Sequence, residues 1–245
     1  MNGGFTSGEY VINPGPKVRP EYLRLPRDLV DLARGFNLDL PEEYQRDAAI
    51  LVFSIECTDR VLDAIPTPLG RAQFSRKVIE CLQGHASGHN DFTPELLAWL
   101  LRLERLIRRR QIGSKFCEIV YVLLANSEQM RNTQSSSMFV KGAVKEGRLM
   151  VELLLLILGH AGTPQFNEFM RRVGEPANLG DKLRDAHRDF AFGELAIKPG
   201  LIFHFRLIYE MLRRVGCLAF RFGGHWRILA WGFKSLFVEV ILIKP

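Results

Sequence analysis

From about residue 27 onward the apolar residues of this chain recur at spacings of three and four almost without a break, and alternating strand patterns are nearly absent. That periodicity restricts the chain to helices packed on helices. "RDLVDLARGF" is a short amphipathic segment, and "PEEYQRDAAILVFSIECTDRVLDAIP" is a long helix with acids in its first turn and Pro66 as its stop. "LGRAQFSRKVIECLQG" ends at Gly84, and "TPELLAWLLRLERLIRRRQ" begins with Thr93 as cap and Pro94 in the first turn. "SKFCEIVYVLLANSEQM" follows, then "SSSMFVKGAVKEGRLMVELLLLILGHAG", which turns almost wholly apolar, as a buried helix does. "PQFNEFMRRVG" is read as separate from the helix after it, and two apolar helical stretches close the chain, at 201–221 and roughly 227–243. Only "FVEVILI" near the end is legible as either helix or strand. An all-α bundle of eight to ten helices follows, one domain over 27–245. With 47% hydrophobic residues in 245, a core of that size can be filled.

Residues 1–26 contain glycines and prolines and lack a basic start followed by an apolar run. They read as an irregular arm, neither signal peptide nor membrane span. The four cysteines, Cys57, Cys81, Cys117 and Cys217, are widely separated, which fits a reduced, cytoplasmic setting. The formal charge of +6 admits anionic partners. The basic run in "RLERLIRRRQ" complements a helix C-terminus, so no nucleic-acid partner is expected from it. Cys81, His85, His89 and Asp91 lie near one another in sequence, but Gly84 and Gly88 interrupt the helix, and a polar loop is the better account than zinc.

The chemistry concentrates in two acidic stripes. "NLGDKLRDAHRD" places Asp181, Asp185 and Asp189 one turn apart on a single helix face, with about 6 Å between neighbours. "SIECTDRVLDAIP" places Glu56, Asp59 and Asp63 at spacings of three and four on another. Like charges so spaced repel, so each stripe calls for cations. Carboxylates converging inside a bundle suit Mg²⁺, which bridges them to substrate phosphates.

"CTDRVLDAI" resembles the first aspartate-rich motif of squalene and phytoene synthases, and "NLGDKLRDAHRDFAFGEL" resembles their second. The resemblance covers roughly residues 43–195 and implies the all-α class I isoprenoid synthase fold. It implies Mg²⁺ held between the motifs, with a prenyl diphosphate substrate ionised for condensation or cyclisation. Carried over, Asp59 and Asp63 match the acidic ends of the first motif, and Asp181, Asp185 and Asp189 match the Asn, Asp and Asp of the second. Arg184 matches the arginine before the central aspartate. Glu56 joins the metal-ligand candidates on helical geometry alone. Lys141, Lys145 and Arg148, on the helix preceding the second motif, are further candidate contacts for the diphosphate. Three positions depart from the pattern: Arg60 stands where an acid is common, Asn178 where Gln is usual, and Arg188 where Glu is usual.

The rival reading is a non-catalytic helical binding protein whose stripes are solvated faces paired with Arg184 or Arg188. The apolar C-terminal stretch, interrupted by Arg221, Arg227, Lys234 and Glu239, lacks the roughly 20 uninterrupted apolar residues of a membrane span. Core helices closing the bundle, or peripheral attachment to a membrane surface, are its two readings.

Overall fold

The computed structural model describes residues 20–85 and 91–225. Among these residues it contains eight α-helices and no strand. They are α1 (Pro20–Arg34), α2 (Glu42–Ala64), α3 (Pro68–Leu82), α4 (Pro94–Arg110), α5 (Gly113–Asn132), α6 (Ser136–Leu158), α7 (Pro164–Ala191) and α8 (Leu201–Arg221). No helix among the described residues is long and apolar enough to cross a membrane. The expected helix at 227–243, the "FVEVILI" segment, His89 and most of the N-terminal arm lie outside the described residues.

Local chemistry sets the helix starts. Thr67, Thr93 and Thr163 each cap a helix whose first residue is proline, their hydroxyls accepting from the backbone N–H of Gly70, Leu96 and Phe166. Proline at the first position costs nothing, because its missing N–H would have no partner within the helix. Ser135 caps α6 in the same way through Met138.

Two expectations differ from the structure. Helix α1 begins at Pro20, inside the segment read as an irregular arm, and runs through Pro26. Leu29, Val30 and Ala33 are its buried side, and α1 packs on α2. Helix α7 is continuous over 28 residues, through the "VGEP" that reads as a break between two helices. An internal proline costs on the order of 3 kcal/mol. Tertiary contacts outweigh it here, since Gly174 and Glu175, the two residues before Pro176, are both fixed to neighbouring helices.

The chain divides into two compact units, one holding α1 to α4 and the other α5 to α8 with Gly35–Leu38. In the first, α2 packs on α1 and α4, and α3 on α4. Phe53 meets Trp99 edge to face at 5.2 Å, and the buried Ser54 hydroxyl donates to the carbonyls of Ile50 and Trp99. The basic end of α4 is committed to this packing. Arg109 and Arg110 both hold the buried Asp47 of α2, at 2.6 and 2.7 Å, and Arg110 lies over the Tyr44 ring.

In the second unit α7 packs on both α6 and α8, which also touch each other. Met130, Phe139, Ala143, Val144, Leu179, Ala186, Phe203, Leu207 and Met211 form one apolar cluster. Phe36 packs with Phe166, Phe169 and Phe222 in a second aromatic group. Helices α6 and α7 cross at Gly147 and Gly174, where a Cβ on either glycine would collide with the backbone of the other. Glu175 clamps three helices, accepting from Arg148 of α6 and Arg214 of α8.

Candidate functional site

The two acidic stripes fall in different units, the first on α2 and the second on α7. On α2, Glu56 is fully buried, while Asp59 and Asp63 are half-buried. Arg60 is the residue that departs from the motif, and it serves this helix and its neighbour. Its guanidinium lies 4.0 Å from the Glu56 carboxylate, donates to the Cys57 sulfur at 3.2 Å and pairs with Glu95 of α4 at 3.4 Å. The buried Cys57 thiol is pushed up by desolvation, which outweighs the neighbouring guanidinium.

On α7, Asp181, Asp185 and Asp189 share a face with Gly174 and Asn178, as their spacing demands. Asp185 is buried, and Asp181 and Asp189 are partly so. Two arginines of the same helix lace this face together. Arg184 donates to Asp181 and Asp185, and Arg188 bridges Asp185 at 3.0 Å and Asp189 at 3.1 Å. Here too a departure from the motif, Arg188, puts a guanidinium among the carboxylates. Burial still raises the Asp189 carboxyl above its ordinary value, despite the opposing pull of Arg188 and Lys182.

Beside this face lies a polar cluster that sequence reading missed. Glu146 of α6 is nearly buried and accepts from Ser127 of α5 at 2.7 Å, from Asn178 at 2.9 Å and from Lys182 at 3.0 Å. Burial would raise its carboxyl. The Lys182 ammonium and the three hydrogen bonds more than offset that and hold it below the usual glutamate range. Asn178 also donates to the Ala143 carbonyl, and Asn126 to that of Gly142. A signal existed, since Glu146 is the one acid in "MFVKGAVKEGRLMV", but an isolated glutamate between basic residues reads as surface.

The other expected diphosphate contacts are placed elsewhere. Lys141 and Lys145 are exposed on α6, and Arg148 is tied to Glu175. The second unit therefore brings Arg184 to the aspartates and gives Arg148 a different partner.

The donor set of each stripe is hard carboxylate oxygen at one-turn spacing, which is the chemistry Mg²⁺ takes. Asp189, whose charged form is disfavoured by burial, is a carboxylate that a nearby cation would relieve. No cluster of three or more His, Cys, Asp or Glu side chains among the described residues is arranged to hold a metal ion. Comparison of the chain with protein-family models, with curated proteins and with solved structures gives no match.

Proposed function

We propose that this chain is a Mg²⁺-dependent enzyme of isoprenoid metabolism, of the class I synthase type, acting on a prenyl diphosphate. The observation that carries this reading is the second stripe: three aspartates on one partly buried face of α7, with a motif resemblance in order and flanking residues. The all-helical structure of the described residues, with a second acidic stripe on α2, supports it.

In this reading Asp59 and Asp63, with Glu56 beside them, would hold Mg²⁺ on α2, and Asp181, Asp185 and Asp189 would hold it on α7. Mg²⁺ would neutralise the charge that develops on the departing diphosphate. The carbon–oxygen bond of the prenyl diphosphate breaks heterolytically, the electron pair leaves with the diphosphate, and an allylic cation remains for condensation or cyclisation. Arg184, which lies among the aspartates of α7, would orient the diphosphate. Lys141, Lys145 and Arg148 are the further candidate contacts for the diphosphate, the two lysines exposed on α6 and Arg148 paired with Glu175.

The test is diphosphate release from geranyl, farnesyl and geranylgeranyl diphosphates with and without Mg²⁺, with product masses. Release that requires Mg²⁺ and disappears in Asp59→Ala and Asp185→Ala, while circular dichroism stays helical, supports the assignment. A folded protein that releases nothing from any of the three substrates overturns it.

One observation favours a second reading, a non-catalytic helical binding protein. Arg184 and Arg188 already contact all three aspartates of the second stripe, so two of its three charges are balanced within α7. Arg188→Glu, which restores the usual acid, separates the two. Enhanced Mg²⁺ binding in that variant supports the metal site, and absence of Mg²⁺ binding in both proteins supports the binding protein.

A further inference from the structure

Helix α8 is apolar on both sides. Phe203, Leu207, Met211, Val215 and Leu218 are buried against the rest of its unit. The opposite face carries Ile202, Phe205, Tyr209, Leu212 and Phe220, all exposed, with Leu201 at its start. Phe205 is 69% exposed, Leu201 91% and Phe220 95%, so these side chains are mostly in solvent. Phe205 and Tyr209 stack on each other at 6.4 Å, giving the face an aromatic centre. A helix that is hydrophobic all round needs cover on both sides.

The charges beside this face select what covers it. Arg206 reaches the Ser136 hydroxyl at the start of α6, and farther along Arg148 of α6 and Arg214 of α8 meet on Glu175. These two ties set α6 and α8 side by side, running in the same direction. Lys141 and Lys145 lie on α6 between the ties, exposed and without an ion pair among the described residues. Arg206 and Arg213 are exposed on α8 itself, with Arg213 paired to Glu210 of the same helix at 2.8 Å. Helix α8 carries four arginines, Arg206, Arg213, Arg214 and Arg221, against the single acid Glu210.

A second copy of this face would set like charges against each other. The sequence that follows it, 226–245, is itself basic, with Arg227, Lys234 and Lys244 against Glu239. An apolar strip edged by cations matches instead an anionic lipid surface, with rings and aliphatic chains at acyl depth and ammonium and guanidinium groups at the phosphates. The strip from Leu201 to Phe220 is about 30 Å long at 1.5 Å per residue, a helix that lies along a bilayer. No helix among the described residues is able to cross one.

We propose that the exposed face of α8, edged by Lys141, Lys145, Arg206 and Arg213, is a docking surface for an anionic lipid bilayer. This inference does not rest on the catalytic reading above and survives its failure.

The experiment is co-sedimentation of the full chain with vesicles of phosphatidylcholine alone and with about one third phosphatidylglycerol, at low and high salt. Binding to the anionic vesicles, weakened by salt, is expected. Lys141→Ala with Lys145→Ala should weaken it about twenty-five-fold, since each basic residue at such a surface is worth about fivefold. Phe205→Asp should abolish it. Should Phe205→Asp fail to fold, the salt dependence and the lysine pair decide alone. Equal binding to neutral and anionic vesicles, or none to either, overturns the proposal. So does a dimer in lipid-free solution that Phe205→Asp splits, because a second copy then covers the face.

Discussion

At the scale of single residues, Glu146 and Asp189 respond to burial in opposite senses. Glu146 has a carboxyl held down in the fold, so it adds stability above the ordinary glutamate range near pH 4.3, and loses it as pH falls through its lowered value. Glu146→Gln should therefore lower Tm at pH 7 and match wild type only in stronger acid. Loss of the Glu146–Lys182 pair should cost about 2 kcal/mol, or roughly 4–8 °C in a chain of this size. Asp189 has a raised carboxyl, so its contribution is greatest below the ordinary aspartate range and is lost as pH rises through the raised value. Asp189→Asn should then gain on wild type as pH rises from about 4 towards neutrality. Thermal melts of the two variants across pH should show slopes of opposite sign, and parallel slopes would contradict these environments. The four cysteines divide as sharply. Cys57, Cys81 and Cys117 are buried with thiols pushed up by desolvation, and Cys217 is exposed on α8. Thiol titration of the native protein should find one fast equivalent, rising to four in denaturant, and a native count above one would show that a buried thiol is accessible.

At the scale of elements, the crossing of α6 and α7 is the most sensitive contact. A methyl group on Gly147 would strike the Gly174 carbonyl and stand 2.8 Å from the Asn178 Cβ, and backbone does not yield as a side chain would. Gly147→Ala should cost about 1–3 kcal/mol in urea unfolding, and a neutral result would mean that the helices separate easily. This crossing was not legible in the sequence, where Gly147 and Gly174 look like ordinary helix-weakening residues. The helices themselves were legible: 201–221 was expected and α8 runs Leu201–Arg221. The Thr-Pro pairs at 67, 93 and 163 all mark helix starts, and the pair at 93 is the one that sequence reading assigns that role. Pro176 misled because a local rule about proline meets three tertiary attachments at once, the Gly174 crossing and the two arginines on Glu175. For the candidate site, spacing alone revealed both acidic faces. The guanidiniums of Arg60 and Arg188 among those carboxylates were visible in sequence only as departures from a motif, and their bonding is a product of the fold.

At the scale of the whole molecule, an all-helical class followed from periodicity because a spacing of three and four repeated over most of the chain leaves no other way to bury apolar faces. The division into two compact units carried no comparable mark, since the boundary near Gly113 falls at a short turn between α4 and α5 and not in a polar linker. The net charge of +6 located no surface by itself. Only the fold separates the arginines of α4, spent on Asp47, from Lys141 and Lys145, which stand exposed. The α6–α7 crossing also bears on how such a chain reaches its fold. The two helices are joined by residues 159–163 alone, so their contacts are close in sequence and little loop-closure entropy opposes them. This hairpin is thus a natural nucleus for the second unit: Gly147→Ala should slow refolding more than it speeds unfolding, whereas substitutions on α8 should act mainly on the unfolding rate.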